Sequence, residues 1–599
     1  MEELLEEIQA IQKFLYGGYK IESDTNLDWL DQLSTQFVKL FQILQKFLMF
    51  DITTPTNRTT IIEQSFLCAQ QIVVCLKFLE KTVNKEKEVG CLITSRQCFF
   101  ERILWCIARL KSTIKSANDH VVTSVVEADN FVTLLDCSLD ILSSFVALDG
   151  SNDNLTNKAE RRAEMMMESR ELRSIIERLL SHSLAFSNIA LHSDKNPLTI
   201  LSQNVLKIAM EFEEEFSLSQ PGKKLNATDQ RMKAMDLETS LCSLESFLNN
   251  SLLRLVVEVF HVMDGKTIER LKNSSNSSTV DVEIEKFDLL IDRLIQIGHF
   301  AISFSRDDLK LSSLIRSCLA SIESLDSYII PAVMSKSDPS LDILQDHFEE
   351  EVKELQHHVQ QIIDTKAFCG TLQDLLNVGI ETNRKVFDEN SLQTLIKQTK
   401  ILLDHFQVNS KNLQLTQDKV SKFYFSDFKL ILTECEAILN FPEPIEDRER
   451  RILKRFCILN NTIRKLQNAI KNLSNFDVGE EEKAIEIEKN IATASQCPSK
   501  CADYFNTIRP SALGSVLYES KRSKKNPFKS SSNHTKIINS TLRRSSNKRK
   551  SLRMVIFKRN HQIEAEEAWN KDETTDLQIT EILEKLTDLS TSLKKCSIK

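Results

Sequence analysis

Glycine and proline are scarce in this chain of 599 residues, which contains 11 glycines and 10 prolines. At average usage a chain of this length would contain roughly 70 of the two together. Tight turns, hairpins and the loops between strands and helices depend on these residue types, so their scarcity disfavours folds built from sheets. No segment alternates apolar and polar residues with a period of two for long enough to form a sheet. The fold is therefore predicted to be all-α.

The sequence also lacks the motifs on which most catalytic sites depend. It has no Gly-rich phosphate-binding loop, no His-Glu-x-x-His and no Gly-x-Ser-x-Gly. Its 14 cysteines are scattered, and the only close pair, Cys497 and Cys501, has no further ligands at zinc-site spacing nearby. In a chain large enough to fold without disulfides, this pattern favours reduced thiols and a cytosolic protein. We predict that the protein is not an enzyme and needs no cofactor.

Two Glu-x-x-His pairs, Glu258/His261 and Glu354/His357, match the ligand spacing of carboxylate di-iron bundles. Chance alone supplies such pairs in a chain with this many glutamates. We therefore interpret them as structural and predict no metal site.

Export signals and membrane spans are also missing from the sequence pattern. The N-terminus begins with acidic, amphipathic residues rather than the basic and apolar stretches of a secretory signal, so no export is expected. The most apolar run, Leu252 to Met263, is interrupted by Arg254 and Glu258 and is shorter than the roughly 20 residues that a membrane span needs. The pattern predicts a soluble chain.

Apolar residues recur every three or four positions through most of the first 490 residues. Leu172, Ile175, Ile176, Leu179 and Leu180, for example, would keep one face of a helix dry. Long helices with a single apolar stripe are stable mainly when they pack against one another. We predict an elongated array of antiparallel helical bundles.

Loop-like and low-complexity stretches divide the chain into consecutive parts. Residues 497–560 are rich in Ser, Asn, Lys and Arg and have few apolar residues, so we predict that they are largely disordered. The last part again carries apolar residues at helical spacing, namely Ile579, Ile582, Leu586, Leu589 and Leu593. The predicted parts are one or more N-terminal bundles at 1–222, a middle bundle at 223–410, a bundle with a basic face at 411–496, the basic segment at 497–560 and a C-terminal amphipathic helix at 561–599.

The strongest functional signal is the charge of residues 521–560, which contain fourteen Lys and Arg and no Asp or Glu, although the whole chain has a formal charge of −8. Such asymmetry indicates a polyanionic partner: anionic membrane, actin or nucleic acid. Basic residues flanking a short apolar patch suit a membrane surface, where cations meet headgroups and Phe557 enters the interface. The residues predicted to bind a membrane or another polyanion are Lys521, Arg522, Lys524, Lys525, Arg543, Arg544, Lys548, Arg549, Lys550, Arg553, Phe557, Lys558 and Arg559.

A second basic cluster lies on a predicted helix between residues 448 and 465. Arg451, Lys454 and Arg455 share one face of that helix by their spacing and are candidates to face actin. The alternative is a solvated helix whose charge is balanced by the acids between 446 and 449.

Three segments, 93–110, 134–145 and 171–190, resemble the insect serendipity locus alpha proteins, which are distant relatives of vinculin and α-catenin. The resemblance implies a vinculin/α-catenin-like helical array. It also implies a non-enzymatic, cytoplasmic scaffold, peripheral at the inner face of the plasma membrane, that helps organise actin during cellularization of the syncytial blastoderm embryo. The implied partners are actin filaments, anionic lipid of the inner leaflet, and cytoskeletal or junctional proteins.

Several alternatives stay open at this point. Vinculin and α-catenin end in a folded actin-binding unit, whereas residues 497–560 are predicted to be unfolded, so actin contact could be direct or indirect. A nuclear or nucleic-acid-associated protein that uses 521–560 as an import signal or phosphate-binding arm is the competing reading. It is disfavoured because few aromatic residues are interleaved with the charges. The terminal stripe from Ile579 to Leu593 is a candidate for helix exchange and self-association.

Overall fold

The structure is a computed structural model of the full chain. The residues that it describes are 2–20, 27–51, 55–116, 130–146, 155–217, 227–262, 266–274, 279–305, 308–335, 338–410, 413, 415, 418–441, 445–474 and 582–587.

Within these residues every regular element is a helix, as predicted. The helices are α1 (Glu2–Lys20), α2 (Leu27–Lys46), α3 (Pro55–Val89), α4 (Ile93–Ser116), α5 (Phe131–Val146), α6 (Leu155–Ile189), α7 (His192–Ser217), α8 (Ala227–Val262), α9 (Lys266–Ser274), α10 (Val280–Phe304), α11 (Leu309–Met334), α12 (Leu341–Ile362), α13 (Thr365–Lys385), α14 (Glu389–Val408), α15 (Lys419–Asn440) and α16 (Ile445–Ser474). A π-helical turn, Phe47–Asp51, follows α2, and residues 582–587 form a short C-terminal helix.

The chain forms two compact units, and each is assembled from segments that are distant in sequence. The first contains residues 1–129, 262–362 and 559–599, and the second contains 130–261 and 363–558. The predicted boundaries at 222/223 and 410/411 instead fall in the connections between α7 and α8 and between α14 and α15. Segments that are distant in sequence can belong to the same unit, because a helix packs against any other helix whose apolar face complements its own.

The first unit packs α3 against α4, α11 and α12. Lys85 pairs with Asp342 at 2.8 Å and Lys77 pairs with Glu350 at 2.6 Å, so α3 and α12 run antiparallel. Between them Phe78 lies against the His347 ring, with centroids 4.0 Å apart. These helices position the buried polar cluster described below.

In the second unit α5, α6 and α7 pack in succession, and α13 to α16 form another antiparallel set. Arg455 of α16 pairs with Glu434 of α15, and Lys465 lies over the ring of Tyr424, so α16 returns antiparallel along α15. The α15–α16 hairpin carries the basic cluster that the sequence singles out.

Aspartates begin several helices by accepting backbone N–H bonds. Asp308, Asp364, Asp388 and Asp418 are the N-caps of α11, α13, α14 and α15. In sequence, Asn196 followed by Pro197 has the pattern of a polar cap before a first-turn proline, which predicts a helix that starts at Pro197. This prediction is wrong. α7 begins earlier, at His192, and Pro197 lies inside the helix.

The segment Ile61–Val89 of α3 is long and apolar enough to cross a membrane by length and composition, although the sequence pattern predicts no span. Its most apolar window is 67% buried inside the structure. This burial is typical of a core helix, which is apolar on several sides because other helices surround it.

Candidate interaction sites

The basic segment carries the main functional prediction, but it lies outside the described residues. All of the predicted polyanion-binding residues, from Lys521 to Arg559, belong to this part of the chain. Their role stays a prediction from sequence.

The second predicted cluster is described, and its three residues lie on the solvent side of α16. The opposite side of this helix is anchored by Ile452 and Phe456, both fully buried. Arg451 and Lys454 are exposed, while Arg455 is half-buried and its Nη1 lies 3.1 Å from Oε2 of Glu434 on α15. The structure therefore brings the three onto one surface but ties Arg455 to the neighbouring helix.

Two arginines of this cluster pair with acids of other helices. Arg448 donates to Glu389 of α14 at 2.9 Å, in addition to the Arg455–Glu434 pair with α15. The alternative interpretation, in which the acids between 446 and 449 balance the charge of a solvated helix, stays a prediction. Sequence proximity could not identify partners that tertiary packing supplies from α14 and α15.

Beside this cluster, α15 exposes a row of large apolar side chains that the sequence reasoning missed. Val420, Phe423 and Leu430 are 54%, 60% and 59% exposed, and Phe441, the C-cap residue that follows the helix, is 61% exposed. The opposite side of the helix is buried, with Phe428 at 0%. The sequence did contain a signal for this row, because α15 has more apolar residues than its buried side uses.

Lysines share this exposed side of α15. Lys419, Lys422 and Lys429 are all exposed. The Nζ of Lys429 lies 4.3 Å from the centroid of the Phe425 ring, a cation–π contact. We call this surface the α15 outer face and define it as Lys419, Val420, Lys422, Phe423, Lys429, Leu430 and Phe441.

The first unit contains a buried polar cluster centred on Arg102 of α4, which is 8% exposed. Its Nη1 donates to His347 Nε2 at 2.8 Å, and its Nη2 donates to Ser321 Oγ at 2.8 Å and to Gln71 Oε1. Gln71 in turn donates to the backbone carbonyl of Ser317 at 2.7 Å. Four helices, α3, α4, α11 and α12, thus meet around one guanidinium.

Glu351 completes this cluster and is 7% exposed. Burial raises the pKa of its carboxyl to about 7, although the Arg102 guanidinium and hydrogen bonds from Ser321 and Cys318 act in the opposite direction. Burial also lowers the pKa of His347 well below its ordinary value, and the positive charge of Arg102 lowers it further. The imidazole is therefore neutral, and Glu351 is poised to titrate near neutral pH.

A cleft of about 590 Å³ opens next to Glu351 between α3, α11 and α12. Its lining mixes apolar side chains such as Val74 and Leu314 with charged ones such as Glu354 and Lys585. Lys585 belongs to the short C-terminal helix.

That helix is anchored in the first unit. Two residues of the predicted terminal stripe, Ile582 and Leu586, are 1% and 0% exposed. Burial lowers the pKa of His358 in the cleft to about 4, with smaller contributions from His357 and Lys585. The other stripe residues, Ile579, Leu589 and Leu593, lie outside the described part of the chain.

The buried thiols around Arg102 are poor nucleophiles. Burial raises the pKa of Cys75 and of Cys98 to about 12, and a hydrogen bond with Cys68 together with burial raises the pKa of Cys106 well above its ordinary value. Since the thiolate is the reactive form, these cysteines are suited to packing.

The two Glu-x-x-His pairs differ in the structure. His261 Nδ1 lies 3.4 Å from Glu258, whereas Glu354 lies 3.8 Å from His358 rather than beside the paired His357. Within the described residues no three His, Cys, Asp or Glu side chains converge as metal ligands would. Cys497 and Cys501 lie outside those residues.

Comparison with known proteins identifies relatives along most of the chain. The family of the Serendipity locus alpha protein (SRY-A) matches residues 1–586. The Serendipity locus protein alpha of Drosophila virilis is 32% identical over 426 residues, which cover 69% of this chain and 76% of that protein. The Drosophila subobscura protein of the same name is 30% identical over 487 residues, 78% of this chain and 85% of the relative.

Among solved structures, a vinculin homologue from a sponge has a similar fold. It superposes with a TM-score of 0.53 at 10% sequence identity and covers 83% of this chain. The match spans 63% of the sponge protein, so this chain corresponds to only part of its length. The likeness confirms the predicted vinculin-like helical fold. Since the family match spans almost the whole sequence, the chain belongs to the Serendipity locus alpha protein family.

Proposed function

We propose that this protein is a non-enzymatic scaffold that helps organise actin filaments at the inner face of the plasma membrane. Membership of the Serendipity locus alpha family and the vinculin-like fold support this proposal, because the sponge vinculin homologue is associated with cell adhesions. The role in cellularization of the syncytial blastoderm embryo belongs to the same proposal. Its mechanism is binding and positioning, without turnover of a substrate.

The proposed membrane contact is the basic segment, whose fourteen cations have no acidic neighbours within 521–560. Each Lys or Arg held near an anionic bilayer contributes about 1 kcal/mol. The segment therefore suits a peripheral attachment that depends on lipid charge and on salt.

Vesicle sedimentation of the full chain tests this contact. Replacing Arg543, Arg544, Lys548, Arg549, Lys550 and Arg553 by Gln should weaken binding to phosphatidylserine-containing vesicles by at least about 100-fold. The matched control, Ser545→Ala with Ser546→Ala, alters the same segment without changing its charge and should bind normally. Equal binding of all three proteins would contradict the proposal.

The proposed actin contact is the α16 surface with Arg451 and Lys454, which stay exposed in the folded second unit. Arg451→Glu with Lys454→Glu should reduce pelleting of the full chain with actin filaments at least about five-fold, since like charges then face actin's acidic surface. Lys13→Glu with Lys385→Glu makes the same charge change at exposed positions on α1 and α13, and should pellet as wild type does.

The same experiment distinguishes direct from indirect contact. If the purified chain pellets with filaments only after embryo extract is added, a cytoskeletal or junctional protein mediates the contact. If neither condition gives pelleting, the actin part of the proposal fails.

The second candidate is a nuclear or nucleic-acid-associated protein that uses 521–560 as its phosphate-binding arm. The charge of that segment favours it. It predicts binding to duplex DNA with a steep salt dependence and no preference for phosphatidylserine vesicles. Staining of a tagged protein at furrow membranes rather than in nuclei would decide against it.

A further inference from the structure

We propose that the α15 outer face is a second lipid-contacting surface, which lies against an anionic bilayer independently of residues 521–560. The inference rests on the proposed membrane association only for the identity of the partner. Its evidence lies in a different and described part of the chain.

The first observation is the arrangement of apolar side chains on α15. Phe423 and Leu430 are two turns apart, so they share one side of the helix, and they are 60% and 59% exposed. Val420 and Phe441 extend the row towards the two ends of this 22-residue helix, which is about 33 Å long. None of these side chains is needed for the core, because Phe428, Leu432 and Cys435 fill it from the other side.

The second observation is the charge on this face. Lys419, Lys422 and Lys429 are exposed. Two of the three acids of α15 pair with neighbouring helices: Glu434 with Arg455, and Glu436 with Lys400 of α14. The third, Asp427, is half-buried and lies on the side of Phe423 and Leu430, where three exposed lysines outnumber it. Asp418, just before the helix, accepts the backbone N–H of Ser421 as the N-cap. The outer face therefore offers cations beside apolar tips.

This combination matches the needs of an interfacial helix. Phe and Leu partition into the boundary between headgroups and acyl chains, while lysine ammonium groups reach the phosphates along their flexible stems. A protein partner would require a complementary groove for side chains spread over the length of α15. A bilayer requires only protruding apolar groups and cations on the same side.

A matched set of full-length variants tests the inference against vesicles of phosphatidylcholine with about 30% phosphatidylserine. Phe423→Ser with Leu430→Ser removes the apolar tips. Val378→Ser with Val386→Ser is the control, because these residues of α13 and its C-cap are 54% and 71% exposed but lie outside the α15 outer face. Each pair is also made in a chain whose basic segment is neutralised at Arg543, Arg544, Lys548, Arg549, Lys550 and Arg553.

We expect Phe423→Ser with Leu430→Ser to weaken vesicle binding at least five-fold in both backgrounds and the control pair to leave it unchanged. Hydrogen exchange of residues 419–430 should slow on vesicles, including in the chain with the neutralised segment. Pure phosphatidylcholine should give no such protection, because the lysines then lack anionic partners.

Unchanged vesicle binding by the Phe423/Leu430 pair, together with no protection of 419–430, would overturn the inference. So would loss of actin pelleting with vesicle binding retained, since the face would then be a protein-binding surface. Neutralising 521–560 could have no effect while Phe423→Ser with Leu430→Ser still reduces vesicle binding. In that case the proposed contact through the basic segment fails and the contact through the α15 outer face stands. Thermal unfolding of each variant verifies that these surface substitutions leave the fold intact.

Discussion

At the scale of single residues, the least expected feature is a buried guanidinium. In sequence Arg102 is an ordinary polar position between the apolar Phe99 and Ile103. In the structure it is 8% exposed and bonded to Gln71, Ser321 and His347. A buried charge persists only when neighbouring groups satisfy it, so this cluster fixes how α3, α4, α11 and α12 meet.

Arg102→Met should lower the free energy of unfolding of the first unit by roughly 3 kcal/mol. The substitution leaves Gln71 Oε1 and His347 Nε2 buried without their donor. Chemical denaturation followed by circular dichroism measures the loss. Arg109→Met, at an exposed position of the same helix, should change stability by less than about 0.5 kcal/mol. Equal effects of the two substitutions would show that the cluster contributes little.

Glu351 should make the stability of the first unit depend on pH. Its folded pKa of about 7 lies above the ordinary 4.5, so the folded state favours the protonated carboxyl. The associated stability is fully present below pH 4.5 and is lost as the pH rises through 7. Glu351→Gln should therefore gain stability relative to wild type, by up to about 3 kcal/mol at pH 7.5 and much less at pH 5.

Denaturant melts at a series of pH values measure this difference. The other groups that face Glu351, namely Arg102, Cys318, Ser321, His347 and Glu354, are common to both proteins. The neutral His347 opposes the trend below about pH 6.5 in both, and subtraction removes its contribution. Asp346→Asn, at an exposed position of α12 that is not among these groups, is the control. A pH-independent difference for Glu351→Gln would refute the expectation.

At the scale of elements, α13 shows how packing overrides helix propensity. It contains Gly370, whose added Cβ would meet nothing within 4 Å, and Gly379, whose added Cβ would overlap the side chain of Leu395 on α14. Leu395 is buried at 6% exposure and has little room to move. One glycine is therefore replaceable, and the other permits the close approach of two helices.

Gly370→Ala should stabilise the second unit by about 0.5–1 kcal/mol, because alanine restricts the unfolded chain and favours the helix. Gly379→Ala gains the same helix propensity, but its Cβ forces the Leu395 side chain aside. We therefore expect the second unit to lose about 1–2 kcal/mol of stability. The two variants are mutual controls on one helix. Thermal melts should shift in opposite directions, and a shared direction would contradict this assignment.

The same contrast between propensity and packing applies to α15. The sequence predicts a helix there but cannot say that Val420, Phe423 and Leu430 face outward, because they are as apolar as the residues that do form the core. Only the positions of α14 and α16 decide which side of α15 is covered.

At the scale of the whole molecule, the C-terminal helix belongs to the first unit although almost the entire chain separates it from α1. Ile582 and Leu586 are its buried contacts, and Lys585 lines the cleft beside Glu354. The predicted helix exchange and self-association through this stripe remain proposals, and the docked state is the starting point for testing them.

Leu586→Asp should release this helix, since a buried carboxylate without a partner is costly. Hydrogen exchange of residues 582–587 should rise at least ten-fold, and α3 and α12 segments around the cleft should exchange faster. Thr587→Asp introduces the same charge on the exposed side and should leave exchange unchanged. If both substitutions act alike, burial of Leu586 is not what holds the helix. Light scattering of the two variants reports whether release changes the oligomeric state.

The sequence by itself determined the helical class, the lack of strands among the described residues and the solvent side of Arg451 and Lys454. These follow from local rules: the scarcity of Gly and Pro, and apolar residues spaced at the period of a helix. The family resemblance was equally accessible because it resides in the order of residues.

Only the tertiary structure decided which segments share a unit, which acids pair with Arg448 and Arg455, and that Arg102 is buried. It also decided that α15 keeps an apolar face uncovered. Helical periodicity shows that one face of a helix is apolar, but it does not show which other helix packs against that face. Since many helices here have similar stripes, the choice among partners depends on side-chain shape and buried polar groups that meet only in the folded chain.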